Sequence, residues 1–526
     1  MNFWEDYRNP IRNREMSDNL FLLILQFGIF IVGNHNICEE KKMANRIHLK
    51  TLLAMSMSLL MMASATAAGR AIYVDDDGPA EFDNIQAAID DANDGDIIIV
   101  NPGTYTSTGN RDIDFLGKAI TVHSENKPDN CIIDCQGSEA QPHSGFYFHN
   151  SEDSNSVLDG FTIRNGYQVS GGGIVCSSSS PTIRNCIITN NRAEDDGGGI
   201  MCHAASPTIR NCIITNNIAE VWEGGGIRCR ACRGATIDNC IITENSARFG
   251  GGIGSSGDNS TTFGDIIVTN CTFSANSAQY GGAVYVRDGS KPSMVNCILW
   301  GDSAPYGPEI ALLSMWPDAS LYVSFSDVQG GENDVYRHGY LYWEIGNIEA
   351  DPCFVQPGYW DANGVWVDGD YHLLPDSPCI DAGDPNYLAE PNETDLDGKP
   401  RVIGGRVDMG AYESPIFAEA RILPRTINLT SMGNWITSSI WLPEDYDVAD
   451  IDPNSIFLED EIQAVSVSVD EQRQFAIARF SRSRVQCILD VGLVDLTITG
   501  QLTDGAVFVG KDVMRVLNKG GRKLAK

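Results

Sequence analysis

Basic residues are scarce in this chain. Its 526 residues include 37 Lys and Arg against 70 Asp and Glu, which gives a formal charge of -33. Recognition of phosphate needs concentrated Lys and Arg, so the sequence argues against nucleic acid and anionic membrane surfaces as partners. Neutral glycans, cations or basic surfaces fit this charge better. Only 20% of the residues are charged while 52 are Gly, a composition that is typical of a turn-rich β protein.

Long apolar runs are equally few. A basic stretch after Met43, an apolar run from Leu52 to Met62 and small residues at 65–67 predict a signal peptide over 43–67, and therefore a secreted or cell-surface protein. The earlier apolar run at 20–32 is short for a membrane span, so residues 1–42 are interpreted as a mis-assigned or non-structural leader. No run of spanning length follows residue 67, which predicts no transmembrane segment in the mature chain.

Internal repetition dominates the middle of the chain. Strings related to NCIITNN recur at intervals of 26, 28, 31 and 26 residues, and a GGGI-like string follows each of the first four. The strings begin at Asn185, Asn211, Asn239, Asn270 and Asn296. The apolar runs between the turns are too short for helices. Coils of this size, with strands stacked about 4.8 Å apart, would place identical residues above one another, so the repeat predicts an all-β, parallel β-helix.

Three residue types keep their place from coil to coil. Two inward cysteine columns are predicted, one of Cys186, Cys212, Cys240, Cys271 and Cys297 and one of Cys176, Cys202 and Cys229. Rung spacing would permit disulfides, but spacing that follows the repeat favours buried thiols that pack as hydrophobes. The lone CxxC that ends at Cys232 is assigned no metal. The repeated asparagines are interpreted as structural turn residues and the glycines as corners of positive φ.

The segment before the repeats reads DNIQAAIDDANDGDIIIVNPGTY. Apolar residues at 85, 88, 89 and 92 have helical spacing, Asp83 can cap the helix, and Gly95 ends it before a strand at 97–100. This segment resembles the start of pectin-lyase-like β-helices, in which an amphipathic helix covers the first coil. Downstream, the stretch from Val323 to Glu413 resembles the terminal coils of secreted bacterial β-helix proteins. The resemblance covers 71–413 and implies a right-handed parallel β-helix there, more firmly than it implies any activity.

The pattern changes to alternating strands from residue 422 onward. Predicted strands include 438–441, 464–469, 475–480, 496–499 and 506–509, with turn signals such as Asp452-Pro453-Asn454 between them. This predicts a small antiparallel β-sandwich over 422–516, interpreted as an accessory or attachment domain. A basic tail follows at 517–526.

Aromatic residues align just before the glycine corners. Trp222, Phe249, Tyr280 and Tyr306 are expected to form a column and are the candidate substrate-binding residues. An exposed aromatic column suits the apolar faces of sugar rings, and its length suits a polymer. The alternative interpretation is that the rings only pack on one another at the corner.

Charged residues flank the same corners. β-helix polysaccharide lyases, which this fold resembles, commonly use an Arg or Lys to remove the proton beside a uronate carboxylate, while calcium or another cation neutralises that carboxylate. The resemblance implies His203, Arg228 and Arg230 as base and charge clamp. Four carboxylates could then hold calcium through oxygen ligands: Glu194, Asp195, Asp196 and Glu223. The alternative interpretation is that all of these are solvated loop charges.

Two functions remain open from the sequence. One is a protein directed at an extracellular polysaccharide, which binds the polymer and could cleave it by β-elimination; hydrolysis ranks lower because the motifs that accompany paired aspartates in polygalacturonases are absent. The other is a non-catalytic cell-surface adhesin or structural β-helix. Loops of varied length and charge around 192–235 favour the first.

Overall fold

The computed structural model describes residues 69–257, 265–314, 318–360, 366–367, 369–443, 446–503 and 505–518. The predicted leader and signal peptide, and most of the predicted basic tail, lie outside these residues. Within them, no helix is long and apolar enough to cross a membrane.

Three long sheets run along the repeat, and neighbouring strands in each are parallel. Sheet A has the strands Ala71–Val74, Ile97–Val100, Thr121–Ser124, Val157–Asp159, Thr182–Arg184, Thr208–Arg210, Arg233–Asp238, Asp265–Thr269, Ser293–Val295, Ser320–Ser324 and Tyr340–Trp343. Sheet B has the strands Gly103–Tyr105, Cys131–Asp134, Thr162–Arg164, Ile187–Thr189, Ile213–Thr215, Ile241–Thr243, Thr272–Ser274, Ile298–Leu299 and Asp327–Val328. Sheet C has the strands Ile113–Asp114, Phe146–Phe148, Ile174–Ser177, Ile200–His203, Ile227–Arg230, Ile253–Ser256, Val284–Arg287, Ile310–Leu313 and Tyr336–Arg337. Nine coils contribute one strand to each of the three sheets, and sheet A has one further strand at each end. This is the predicted parallel β-helix.

A fourth, shorter sheet lies between sheets B and C along the chain. This sheet D has the strands Tyr167–Ser170, Arg192–Asp196, Ile218–Glu223 and Ser246–Phe249. The glycine corner follows it, and the first glycine of each corner has a positive φ, 71° at Gly224 for example. Only glycine adopts this conformation without a steric cost, so the repeated glycines fix where the chain turns into sheet C.

Alternation along the strands fills the inside of the coil. In sheet B, Ile188, Ile214 and Ile242 point inward and are completely buried, while the preceding isoleucines lie on the outer face. The cysteine columns are thiols, as are all fourteen cysteines in the described part of the chain. Each thiol of the longer column donates to the carbonyl two residues earlier, as from Cys212 to Arg210 at 3.2 Å.

Two asparagine ladders run along the coil. The predicted one bonds neighbouring rungs at its turn, for example from Asn239 Nδ2 to Asn211 Oδ1 at 2.8 Å. The second was not predicted and is completely buried. Its members Asn191, Asn217, Asn245 and Asn276 each donate from the backbone N–H and from Nδ2 to the next side-chain oxygen, and the last partner is Asp302. This ladder satisfies buried polar groups that would otherwise destabilise the corner.

A helix, α1, lies before the second strand of sheet A at Ile85–Asp91. Its apolar face, Ile85, Ala88 and Ile89, is buried in the same cluster as the coil strands. The cap differs from the prediction. Asn84, not Asp83, accepts the N–H of Ala87 at 2.8 Å, because the helix begins one residue later than expected and places the amide at the capping position.

The segment at 351–412 differs from the predicted terminal coils. Its strands form two short antiparallel pairs, Phe354–Gln356 with Asp370–Leu373 and Tyr359–Trp360 with Trp366–Val367. The segment packs on the outer face of sheet B, where residues such as Met409 bury Ile241 and Ile298. The 351–412 segment thus covers the apolar residues on the outer face of sheet B. In a β-helix without this segment they would be exposed to solvent.

The C-terminal region forms one connected nine-stranded sheet with its own apolar core. Its strands are Ile416–Leu423, Thr426–Asn428, Trp435–Trp441, Phe457–Leu458, Ile462–Gln463, Ser466–Asp470, Phe475–Ser481, Gly492–Gln501 and Val507–Leu517. A second helix, α2, spans Arg482–Ile488. Most pairs are antiparallel as predicted, but the last strand pairs in parallel with the first two. The region is therefore a mixed sheet, and two separately hydrogen-bonded sheets are not seen among its described strands.

Candidate functional site

His203 and Arg230 lie side by side on the outer face of sheet C. They are paired in register on neighbouring strands, and both side chains are exposed. Neither has an ion-pair partner among the described residues. This sets Arg230 apart from Arg184 and Arg210 of sheet A, which are paired with aspartates at 2.8 and 2.9 Å. An uncommitted guanidinium beside an imidazole is a site that can hold an anion.

The surroundings of His203 lower the pKa of its imidazole. Partial burial is the largest cause, followed by the positive charges of Arg230 and Arg228. The imidazole is therefore neutral at neutral pH, and one ring nitrogen has a lone pair that can accept a proton. The pair combines a proton acceptor with a permanent positive charge on the adjacent rung.

Arg228, the third residue predicted for this site, is buried. Its side chain is 1% exposed and donates to the carbonyls of Cys229 and Gly254 at 2.9 and 3.2 Å and to Ser256 Oγ at 2.7 Å. The next rung has glycine at the matching position, and a Cβ there would come within 2.9 Å of Glu223 Cβ. Glu223 fills this gap and covers the guanidinium, so Arg228 cannot reach a polymer on the surface.

The predicted calcium ligands do not converge. Glu223 is 2% exposed and its charge is matched by Arg228 and Arg287, while Asp196 Oδ1 accepts the Glu223 N–H at 3.0 Å and lies 3.5 Å from Arg228 Nε. Across the described ranges, the one group of three acidic side chains close enough for a single ion is at residues 75–77, far along the chain. Arginine occupies two of the four carboxylates, and the four-carboxylate calcium site therefore stays a prediction that these contacts do not support.

Glu194 and Asp195 line a cleft on the outer face of sheet D, here named the acidic cleft. It has a volume of about 660 Å³, and its other charged residues are Glu139, Arg192 and Glu220. Arg192 is paired with Glu220. The cleft therefore keeps an excess of negative charge, which favours a cation or a neutral hydroxyl-rich group over an anion.

The aromatic column forms as predicted, and we call it the aromatic ladder. Ring centroids lie 6.4 Å apart between Trp222 and Phe249, 5.4 Å between Phe249 and Tyr280, and 4.7 Å between Tyr280 and Tyr306, with interplanar angles of 12° to 18°. Each inner ring is thus covered on both faces by its neighbours. The outer faces of Trp222 and Tyr306, which are 45% and 43% exposed, and the ring edges are what the ladder offers to a ligand.

Two further tyrosines, the buried Tyr285 and the half-buried Tyr336, pack against the aromatic ladder and were missed in the sequence. Tyr285 lies 5.0 Å from Phe249, and Tyr336 lies 5.2 Å from Tyr306, measured between ring centroids. Tyr285 is in register with Gly254 and so with the Arg228 position. Extending the alignment of the glycine corners by four residues would have found it.

Residues 96–265 match the family described as "Right handed beta helix region". This segment is a right-handed β-helix. Among solved structures, the chain is similar to an alginate lyase from Paenibacillus sp. str. FPU-7, at 17% identity and a TM-score of 0.27, over 51% of this chain and 96% of that one. At this TM-score the likeness assigns the right-handed β-helix no activity. No curated protein matches the sequence.

Proposed function

We propose that the right-handed β-helix binds an acidic extracellular polysaccharide across sheet C and cleaves it by β-elimination at His203 and Arg230. The observation that carries the proposal is the register pair itself, an exposed neutral imidazole beside an exposed arginine without an ion-pair partner in the described chain. Export through the predicted signal peptide at 43–67 would place the protein with such a polymer.

β-Elimination needs a group that neutralises the uronate carboxylate and a base that removes a proton. Arg230 and His203 would supply these two groups. Arg230 would hold the carboxylate of a uronate residue and make the adjacent C5–H bond more acidic by stabilising the charge that develops. His203 would take that proton. The electrons of the broken C5–H bond then form the C4–C5 double bond, and the C4–O bond of the chain breaks, with the leaving oxygen protonated from His203 or water.

The aromatic ladder and the acidic cleft would extend the binding surface. The outer faces of Trp222 and Tyr306 suit the apolar side of a sugar ring. Glu194 and Asp195 in the acidic cleft would accept hydrogen bonds from the hydroxyls of a neutral unit of the polymer, since the charge of the cleft disfavours a uronate there. Neither group touches the reacting atoms in this proposal.

A non-catalytic surface protein is the second candidate. The covered faces of Phe249 and Tyr280 favour it, because rings that stack on each other stabilise the coil without a ligand. The paired arginines of sheet A point the same way. Cleavage of a polymer would favour the lyase, and the absence of cleavage would favour the non-catalytic protein.

The test is an assay of the purified protein on alginate, polygalacturonate and neutral glycans, which follows retention on the immobilised polymer and the ultraviolet absorbance of unsaturated uronate. His203→Asn should abolish the absorbance, and Arg230→Ala should also weaken retention. Arg164→Ala is the control, since this half-buried arginine is paired with Asp134. Retention without absorbance on any polymer would leave a binding protein. The absence of both retention and absorbance on every polymer would overturn the proposal.

A further inference from the structure

The outer isoleucine column of sheet B is covered along only part of its length. Ile241 and Ile298 are 5% and 1% exposed beneath the 351–412 segment, and Ile213 packs at the edge of the same cluster. Ile187 lies one rung further and is only half-buried. The column therefore continues past the segment that covers it.

A cleft opens where the cover ends, and we name it the seam cleft. Its volume is about 490 Å³, and Cys186, Ile187 and Ile213 contribute to its lining. The end of the strand Thr121–Ser124 and the loop that follows it, up to residue 129, line one side and are called the loop wall, and the turn at 394–398 lines the other. The seam cleft thus joins an apolar floor to two polar walls.

The two walls differ in how their polar groups are used. On the turn, Asp397 accepts hydrogen bonds from His372 at 2.9 Å and Lys399 at 2.7 Å, and Asp395 accepts the N–H of Lys399 at 2.8 Å. On the loop, the side chains of Lys127 and Asp129 have no hydrogen-bond or ion-pair partner in the described part of the chain. The polar groups of the turn are therefore already hydrogen-bonded. The loop presents a donor, Lys127, and an acceptor, Asp129, that a ligand can bond.

His123 adds a third group on the loop wall. Its Nδ1 lies 3.5 Å from Asp159 but is buried without a hydrogen bond. Asp159 is already bonded by Arg184 at 2.9 Å and Asn185 at 2.7 Å, so it has little capacity left for the imidazole. The side chain as a whole is 44% exposed, so the accessible part of the ring can bond a ligand.

The backbone of Lys127 is strained at the same place. Its φ of 69° and ψ of 162° belong to a region that glycine occupies almost alone. Pro128 begins a 3₁₀ turn directly after it. Non-glycine residues with this backbone conformation are found most often at ligand-binding sites. The strain destabilises the fold, and the residue is kept because its side chain is needed.

We propose that the seam cleft binds a neutral pyranose unit of a glycan. The apolar C–H face of the ring would lie on Ile187 and Ile213, and its hydroxyls would bond His123, Lys127 and Asp129. Carboxylates outnumber cations around the cleft, with Glu125, Asp159, Asp395 and Asp397 also in its lining, so an acidic sugar is disfavoured. This site is separate from His203 and Arg230 and does not depend on the function proposed for them.

The experiment is saturation-transfer NMR of the full chain with methyl glycosides of glucose, galactose, mannose, xylose and fucose, and with methyl glucuronide as the acidic comparison. At least one neutral glycoside should bind with a millimolar Kd. Ile187→Trp fills the floor and should weaken that binding at least about tenfold. Ile267→Trp, at an isoleucine of sheet A that is 43% exposed, is the control and should change nothing.

A second variant separates a ligand clamp from a structural role. Lys127→Gly should relieve the backbone strain and raise the urea midpoint of unfolding, while it weakens glycoside binding at least about tenfold. Gln136→Gly also removes a positive-φ side chain, at φ 49°, and should leave binding unchanged. The proposal is overturned if no neutral glycoside binds, if methyl glucuronide alone binds, or if binding survives Ile187→Trp.

Discussion

Arg228 Nη2 lies 2.9 Å from Glu223 Oε2, and the two side chains are 1% and 2% exposed. Removal of one member of a buried ion pair is strongly destabilising, because the remaining charge is left buried and unpaired. Arg228→Met and Glu223→Gln should each destabilise the protein by about 3 to 5 kcal/mol in urea unfolding. Arg230→Ala should cost less than about 0.5 kcal/mol, since its side chain is exposed. An Arg228→Met variant that kept its stability and lost polymer retention would restore Arg228 to the binding site.

The pH dependence of cleavage should report on His203. Its pKa is lowered, so the neutral base is present above that depressed pKa and activity falls as pH drops through it. Arg230→Gln removes one of the charges that lower the pKa, and the pKa should therefore move upward. NMR titration of the His203 ring in both proteins measures this directly. An unchanged ring titration in the variant would show that Arg230 does not act on the imidazole.

The acid at the end of the buried asparagine ladder should make stability pH-dependent. Burial raises the pKa of Asp302 to about 6 and that of Glu309 well above its usual value. Both carboxyls have a higher pKa in the folded protein than in the unfolded chain. Their contribution to the free energy of unfolding is therefore fully present below the unfolded pKa and is lost as pH rises through the folded pKa. Asp302→Asn continues the ladder without a charge. It should be more stable than the wild type by about 1 to 3 kcal/mol at about pH 8, and the gain should vanish at about pH 4.

Urea unfolding at the two pH values provides the measurement. Glu471→Gln, at an exposed carboxylate of the C-terminal region, is the control and should show no such pH-dependent gain. A gain of equal size at both pH values would mean that packing, and not the proton, sets the difference.

The thiols should react in two classes. Cys487 is exposed and Cys353 half-buried, while the other twelve described cysteines are buried, and burial raises the pKa of Cys131 to about 12. A thiol reagent should label Cys487 fast and Cys353 slowly in the native protein from residue 68 onward. All fourteen should react after unfolding without a reductant. A lower total would reveal disulfides between rungs.

Calcium should not stabilise the protein through the four predicted carboxylates. Glu223 and Asp196 are engaged with Arg228, so the site lacks two of its ligands. A chelator should leave the thermal midpoint unchanged, and added calcium should not raise it. A calcium-dependent rise that Glu223→Gln abolished would contradict the structure at this point.

The coil was predictable because the same residue types recur at the same positions of each repeat. A column such as Ile174, Ile200 and Ile227 appears in the sequence at the interval that the stacked strands require. The glycine corners were equally visible, since few residues other than glycine tolerate their backbone conformation. The fold of the repeated part follows from these regularities.

Features that depend on departures from the repeat were not predictable. Alternation places Arg228 on the outer face, but its burial depends on the missing side chain of Gly254 and on the way Glu223 fills the gap. The buried Asn191 ladder was hidden beside Asn190, which is the same residue type but exposed. His203 and Arg230 could be singled out from the sequence, whereas the absence of a partner for Arg230 is a property of three-dimensional neighbours.

The buried asparagine ladder also bears on how the length of this protein can change. Each amide accepts from one coil and donates to the next in the same way, so a duplicated coil would find its bonds already provided on both sides. Asp302 ends this series because a carboxylate accepts the bonds of Asn276 and has no amide to pass on. The span of the outer face can thus lengthen or shorten by whole rungs of about 4.8 Å, through gain or loss of one repeat of the gene.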